Sequence, residues 1–180
     1  MVSWSRIARR SRVPLGFAVA ALYFWLAEPL PVSLLVGVLF IVPGLLIRAL
    51  ASGHVQKNER LATTGPYAYT RNPLYLGSFI MAIGFAFAGR SWWMVAILFV
   101  MFAAIYLPVI RAEEAFLARQ FPEFAEYARR VPRLIPNPAP PGKQQWEFSW
   151  ALYNKHREYN ATLGAAAIMA ALFIKLQWLS

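Results

Sequence analysis

Cysteine and aspartate are absent, and only two histidines occur, His54 and His156. Without thiols there are no disulfides, no thiol nucleophile, no iron–sulfur cluster and no cysteine-ligated zinc. A metal centre would have to be built from two imidazoles and eight glutamates, so no metal site is expected. Charge is scarce too. Only 14% of residues are charged and 59% are hydrophobic, against about 25% and about 45–50% in a soluble domain. The 180 residues suffice for one domain, and that domain is not an ordinary soluble globule.

The net charge is +10, a balance that suits either nucleic acid or an anionic membrane surface. The basic residues lie between long apolar runs rather than along one polar face. The reading is therefore membrane lipid as partner and no nucleic acid.

Five apolar stretches stand out: Val13–Ala27, Pro31–Ile47, Leu74–Ala88, Ser91–Ile110 and Ala161–Ile174. A spanning helix needs about 20 residues, so the shorter runs recruit neutral flanks. Tight breaks at Glu28–Pro31 and Gly89–Ser91 join the first four into two hairpins. The expected fold is all-α, a polytopic membrane protein of about five transmembrane helices with a cytoplasmic amphipathic helix. With the N-terminus inside, sixteen of the eighteen basic residues fall on the cytoplasmic side, leaving Arg90 and Lys175 outside. This asymmetry predicts N-terminus in and C-terminus out, and the expected location is a bacterial inner membrane. Arg9-Arg10 precedes an apolar run as in an export signal, but a second spanning run follows almost at once, against cleavage.

The two sizeable connections, Ala51–Pro73 and Arg111–Asn160, are both cytoplasmic in this topology. In the second, Phe116, Leu117, Phe121, Phe124 and Tyr127 recur at helical spacing, which predicts an interfacial amphipathic helix ending at Val131-Pro132. Pro136, Pro138, Pro140 and Pro141 then predict a stiff extended linker. Residues 1–136 form the expected core with the cofactor site, and 137–180 the linker and an additional helix. The spans carry almost no ionisable residue at mid-depth, which argues against ion-coupled transport. Pro43 and Pro108 should kink their helices.

The densest chemistry lies between His54 and Gly77. Gly65-Pro66 signals a turn, Pro73 suits the first turn of a spanning helix, and Asn72 stands where an N-cap belongs. Tyr67, Tyr69, Tyr75 and Arg71 gather at that helix mouth, where backbone donors suit an anionic group. An interfacial anchor of Tyr and Arg explains the same composition. Arg111-Ala-Glu113-Glu114 forms a second group: adjacent carboxylates can bind an ammonium or act as acid or base, or simply pair with nearby arginines. His54 fits a helix-end contact with carbonyls as well as a binding role.

The ordered run of Leu61, Gly65-Pro66-Tyr67, Arg71-Asn72-Pro73, Tyr75 and Gly77, followed by Glu113-Glu114, Leu117, Tyr127 and Arg130-Val131-Pro132, resembles the isoprenylcysteine carboxyl methyltransferase and phospholipid methyltransferase superfamily, over about residues 31–136. The resemblance implies an integral membrane enzyme holding S-adenosylmethionine on the cytoplasmic side. Carried over by position, cofactor contacts fall on Gln56 or Lys57, Glu59, Arg60, Leu61, Ala62, Tyr67, Asn72, Pro73, Leu74, Tyr75 and Glu113. Arg111, Glu114 and Arg71 are the candidate catalytic groups, Arg111 for a substrate carboxylate and Glu114 as base for an amine. The acceptor would be a lipophilic or lipidated molecule, either an isoprenylcysteine-like carboxylate or a lipid headgroup. Asn72 departs from the family's eukaryotic methyl esterases, which have His before the proline. Two other readings stand beside this one: a sterol-reductase-like enzyme using NADPH, and a non-catalytic membrane scaffold or lipid-binding protein.

Overall fold

A computed structural model describes residues 16–55, 60–140 and 146–179. Among them every regular element is helical: α1 (Gly16–Leu26), α2 (Pro31–His54), α3 (Pro66–Tyr69), α4 (Pro73–Gly89), α5 (Trp92–Gln120), α6 (Phe124–Arg130), α7 (Trp150–Lys155) and α8 (Tyr159–Leu179). Helices α2, α5 and α8 are long and apolar enough to cross a membrane, and α1 and α4 are shorter apolar helices. All five coincide with the five apolar runs.

Helix starts follow the punctuation of the sequence. Pro31 and Pro73 open α2 and α4 at first-turn positions, where a missing N–H costs nothing. The pair α2–α4 is the centre of the bundle. Gly37 and Gly44 on one helix face Gly84 and Gly77 on the other, and a Cβ on any of the four would lie 2.6–2.8 Å from the facing glycine's carbonyl oxygen. Small residues at such a seam let the two backbones touch, which is how helices associate where lipid removes the hydrophobic drive.

The hairpin turns meet at one end. Glu28 N–H donates to Gly89 O (2.9 Å), the Tyr23 hydroxyl to Phe85 O (2.6 Å) and Ser33 Oγ to Ala88 O (3.0 Å). Lys175 Nζ, near the end of α8, donates to the carbonyls of Phe24 and Trp25, capping the C-terminus of α1 with a cation. Trp25, Trp92, Trp93 and Trp178 stand exposed around this end, as an aromatic interfacial belt requires.

Three expectations need correcting. The amphipathic segment is not one helix at the interface: α5 runs straight out to Gln120 and breaks at Phe121-Pro122, and α6 follows. Phe121 precedes a proline and is extended (φ −124°, ψ 111°), since a residue there is pushed out of the helical region. The apolar face of α6 turns inward, with Phe124, Tyr127 and Val131 buried together against Leu61, Leu117 and Phe121. The proline-rich stretch is not free-running at its start either, because Asn137 N–H donates to Tyr69 O (2.9 Å) and Arg71 N–H to Pro132 O (2.9 Å). Finally, α2 continues through Pro43 to His54, past the expected loop start at Ala51. Near Pro108, α5 carries a π-helical turn over Phe102–Tyr106, an accommodation that recurs at functional sites.

Candidate functional site

The polar end of the bundle encloses a cavity of about 610 Å³ between the end of α2, the α3–α4 junction, the outer half of α5, α6 and the α7–α8 junction. Its frame is Glu114, one of the few buried charges. Glu114 Oε1 accepts from Asn72 Nδ2 (3.0 Å) and lies 3.3 Å from Arg71 Nε, an electrostatic contact without hydrogen-bond alignment. Oε2 accepts from Arg133 Nε (2.9 Å) and pairs with its Nη2 at 2.8 Å. One carboxylate thus ties α5 to the loop before α4 and to the chain after α6. Burying it is tolerable because cationic donors surround it.

The same loop is held by neutral bonds. The Thr70 hydroxyl reaches the carbonyls of Arg133 and Leu134, and the Tyr127 hydroxyl donates to Tyr67 O at 2.7 Å. Burial pushes the Tyr67 and Tyr127 phenols well above the ordinary tyrosine range, with neighbouring acidic groups adding to the Tyr67 shift. Both therefore stay protonated. Asn72 occupies the N-cap position of α4 but makes no cap bond. Its amide instead serves Glu114 and the Arg133 carbonyl (3.0 Å), so Asn72 is a strut of the frame, correcting the expected cap.

Glu113, adjacent in sequence, is placed differently. It is half-buried, faces the cavity and accepts one bond from the Tyr75 hydroxyl (3.0 Å). Tyr75 is in turn steadied edge-on by Tyr106 (5.9 Å).

The remaining wall comes from the C-terminal segment. Arg48 on α2 pairs with Glu158 (2.6 Å) and donates to Ser78 Oγ on α4. His156 Nδ1 lies 3.0 Å from Ser52 O, and Ser149 N–H donates to Gly53 O (3.0 Å). The Phe148 ring sits so close to Gly53 that a Cβ there would lie 2.4 Å from it. His54 takes the helix-end role: Nδ1 meets Leu50 O at 2.7 Å, the buried ring packs on Gly65, and it does not line the cavity.

Of the residues singled out from sequence, Arg60, Leu61, Ala62, Tyr67, Arg71, Asn72, Pro73, Leu74, Tyr75, Glu113 and Glu114 all line this one cavity. Arg111 is not brought to it and is exposed. Gln56, Lys57 and Glu59 lie outside the described residues. Sequence reasoning missed Arg48, Ser52, Ser78, Tyr106, His156 and Glu158 in the lining. The one signal was Arg48, a lone charge closing an apolar run. Among the described residues no three His, Asp or Glu side chains gather as metal ligands would.

Residues 32–123 match the phospholipid methyltransferase family. The chain is 40% identical over 134 residues to the cobalt-zinc-cadmium resistance protein CzcN of Cupriavidus metallidurans, covering 69% of this chain and 61% of that protein. It is 44% identical over 81 residues to the nickel-cobalt-cadmium resistance protein NccN of Alcaligenes xylosoxydans xylosoxydans, covering 45% of this chain and 38% of the relative. The matches thus span less than two thirds of either relative's length. No solved structure matches the chain. The family match takes in α2, α4 and α5, the glycine seam and the Glu113-Glu114 pair, and on it the chain belongs to the phospholipid methyltransferase family.

Proposed function

We propose that this protein transfers a methyl group from S-adenosylmethionine to a lipophilic acceptor that enters from the bilayer. The observation that carries the reading is convergence: the described positions that the superfamily resemblance marks for the cofactor line a single cavity. Its volume of about 610 Å³ falls within the roughly 300–1,000 Å³ usual for cofactor and small-molecule sites.

The residues present fit the cofactor's chemistry. Glu113, steadied by Tyr75, suits an ammonium. Arg60, Arg71 and the first turn of α4 offer donors to a carboxylate. Tyr67, Tyr106, Phe116 and Phe124 supply aromatic wall for a nucleobase and for a cationic sulfur. When bound, the cofactor supplies an electrophilic methyl on a sulfonium. The chain's contribution is to hold donor and acceptor in line, a positioning effect that can lower a barrier by about 7–11 kcal/mol. Glu114, with both oxygens engaged, keeps the cavity wall in place.

The cavity faces the cytoplasm if the distribution of Lys and Arg sets the orientation, with the N-terminus inside a bacterial inner membrane. The names of the two relatives refer to metal resistance and name no methyl acceptor. Calorimetric titration of the detergent-purified protein with S-adenosylhomocysteine tests the reading. Saturable binding, lost in Glu113→Ala and not reproduced by NADPH, is the expected result. No binding by the folded, lipid-supplied protein would sink it and favour the scaffold. Preference for NADPH would favour the reductase.

A further inference from the structure

We propose that His156 is the proton acceptor of this site, and that the methyl acceptor is one whose attacking atom carries a proton. The inference rests on the methyltransferase reading and extends it into a segment beyond the family match at residues 32–123.

The other candidates in the cavity are committed. Glu114 receives Asn72 on one oxygen and Arg133 on the other. Glu158 is bound by Arg48 at 2.6 Å. Glu113 is held by Tyr75 and is the carboxylate suited to the cofactor's ammonium. Asn72, an amide, takes no proton. Imidazole is the side chain most often used for proton transfer, and of the two in this chain only His156 lines the cavity.

Its tautomer is set by its partner. Nδ1 lies 3.0 Å from the Ser52 carbonyl, and a carbonyl only accepts, so the proton sits on Nδ1. The neutral ring then carries its lone pair on Nε2. The turn that ends α7 places the ring. Arg157 adopts φ +52° just past the end of α7, where the N–H groups of Arg157 and Glu158 donate to Asn154 O and Tyr153 O, a left-handed stop common at helix ends. The turn around Arg157 puts His156 against α2 and Glu158 against Arg48, so both line the cavity.

In the step, the acceptor atom forms a bond to the methyl carbon. The carbon–sulfur bond breaks with its electron pair left on sulfur. The proton of the acceptor atom passes to His156 Nε2 and from there to solvent. A carboxylate acceptor would release no proton and would yield a methyl ester.

The purified protein is incubated with radiolabelled-methyl S-adenosylmethionine and a total bacterial membrane lipid extract, and label is divided into alkali-stable and alkali-labile fractions. Alkali-stable label is expected, falling about 100-fold or more in His156→Gln, with S-adenosylhomocysteine affinity kept within about twofold of wild type because the variant spares the cofactor contacts. A second readout uses diethyl pyrocarbonate, which acylates an accessible neutral imidazole. Mass spectrometry should find His156 modified and the buried His54 spared, with transfer abolished and S-adenosylhomocysteine binding intact; this also covers a variant that fails to fold. Alkali-labile label, undiminished transfer in His156→Gln, or an unreactive His156 would each overturn the proposal. Loss of S-adenosylhomocysteine binding by the wild-type protein would instead overturn the methyltransferase reading.

Discussion

The two ends of the bundle differ in one means of holding together, a charged side-chain network at the cavity end. At the hairpin end, almost every tie reaches a backbone carbonyl: Glu28 to Gly89, Tyr23 to Phe85, Ser33 to Ala88, and Lys175 to Phe24 and Trp25. At the cavity end such ties recur, as from Tyr127 to Tyr67, but side chains also bind side chains through Glu114 with Asn72, Arg71 and Arg133, and through Arg48 with Glu158 and Ser78. The difference follows from the solvent each end meets. In hydrocarbon a helix satisfies its own backbone and gains from close approach, so glycine and hydroxyl contacts suffice. Where the chain leaves the membrane, polar groups can be desolvated as a network, provided every member has a partner. One end is therefore sensitive to volume and the other to charge.

The largest effect is expected from the charge-held end. Glu114→Ala leaves Arg71 and Arg133 facing a buried space without their anion, and removing one partner of a buried pair costs about 3–5 kcal/mol. Denaturant unfolding in micelles should register that loss, together with loss of S-adenosylhomocysteine binding as the loop before α4 loosens. Its neighbour supplies the control. Glu113→Gln retains an acceptor for Tyr75 and should leave the unfolding midpoint nearly unchanged while binding falls. If both variants behave alike, the division of labour between frame and cavity-facing carboxylate is wrong.

The volume-held end should break next. Gly37→Val places methyl groups where even a Cβ would lie 2.8 Å from Gly84 O, and overpacking of this kind costs about 1–3 kcal/mol. The loss should appear in the same unfolding assay and be indifferent to salt, since no charge is involved. Marked salt dependence would show that the disturbance reaches the ion-pair network.

A subtler test concerns the protonated tyrosines. In the unfolded chain Tyr67 and Tyr127 ionise near 10, whereas in the fold burial holds both phenols protonated to higher pH. Above pH 10 the unfolded state thus binds fewer protons than the native one, and stability falls as pH rises. Tyr127→Phe removes one of these groups and should flatten the alkaline loss. It should also cost about 1–3 kcal/mol at neutral pH, because the Tyr67 carbonyl loses its donor in a buried setting. An unchanged alkaline slope would place the responsible groups elsewhere.

The hairpin end is far more legible in the sequence than the cavity end. Apolar runs, Pro31, Pro73 and the Gly89–Ser91 break locate the spanning helices because those signals are local. The Glu113-Glu114 pair and the Arg71–Tyr75 run are visible as a pattern in the chain. Arg48 and Glu158 are not, because they lie 110 residues apart and no periodicity joins them. Arg111 misleads through its nearness in sequence: it is two residues before Glu113, or about 200° around the helix. The period of α6 is plain in the sequence and its partner is not, since an apolar stripe looks the same against lipid as against Leu61.

The smallest predicted effect turns the glycine argument around. At Gly164 on α8 an added Cβ would meet nothing within 4 Å, so Gly164→Ala touches no backbone. Alanine is favoured over glycine in a helix interior by about 0.5–1 kcal/mol, and a gain of that size is expected. Replacing glycine would then destabilise at position 37 and stabilise at position 164, separating glycine as seam from glycine as filler. A loss of stability at 164, or a change in apparent mass in detergent, would mean that this face of α8 lies against another helix. That face of α8 would then belong to a contact between copies of the chain, and α8 would be a seam in its own right.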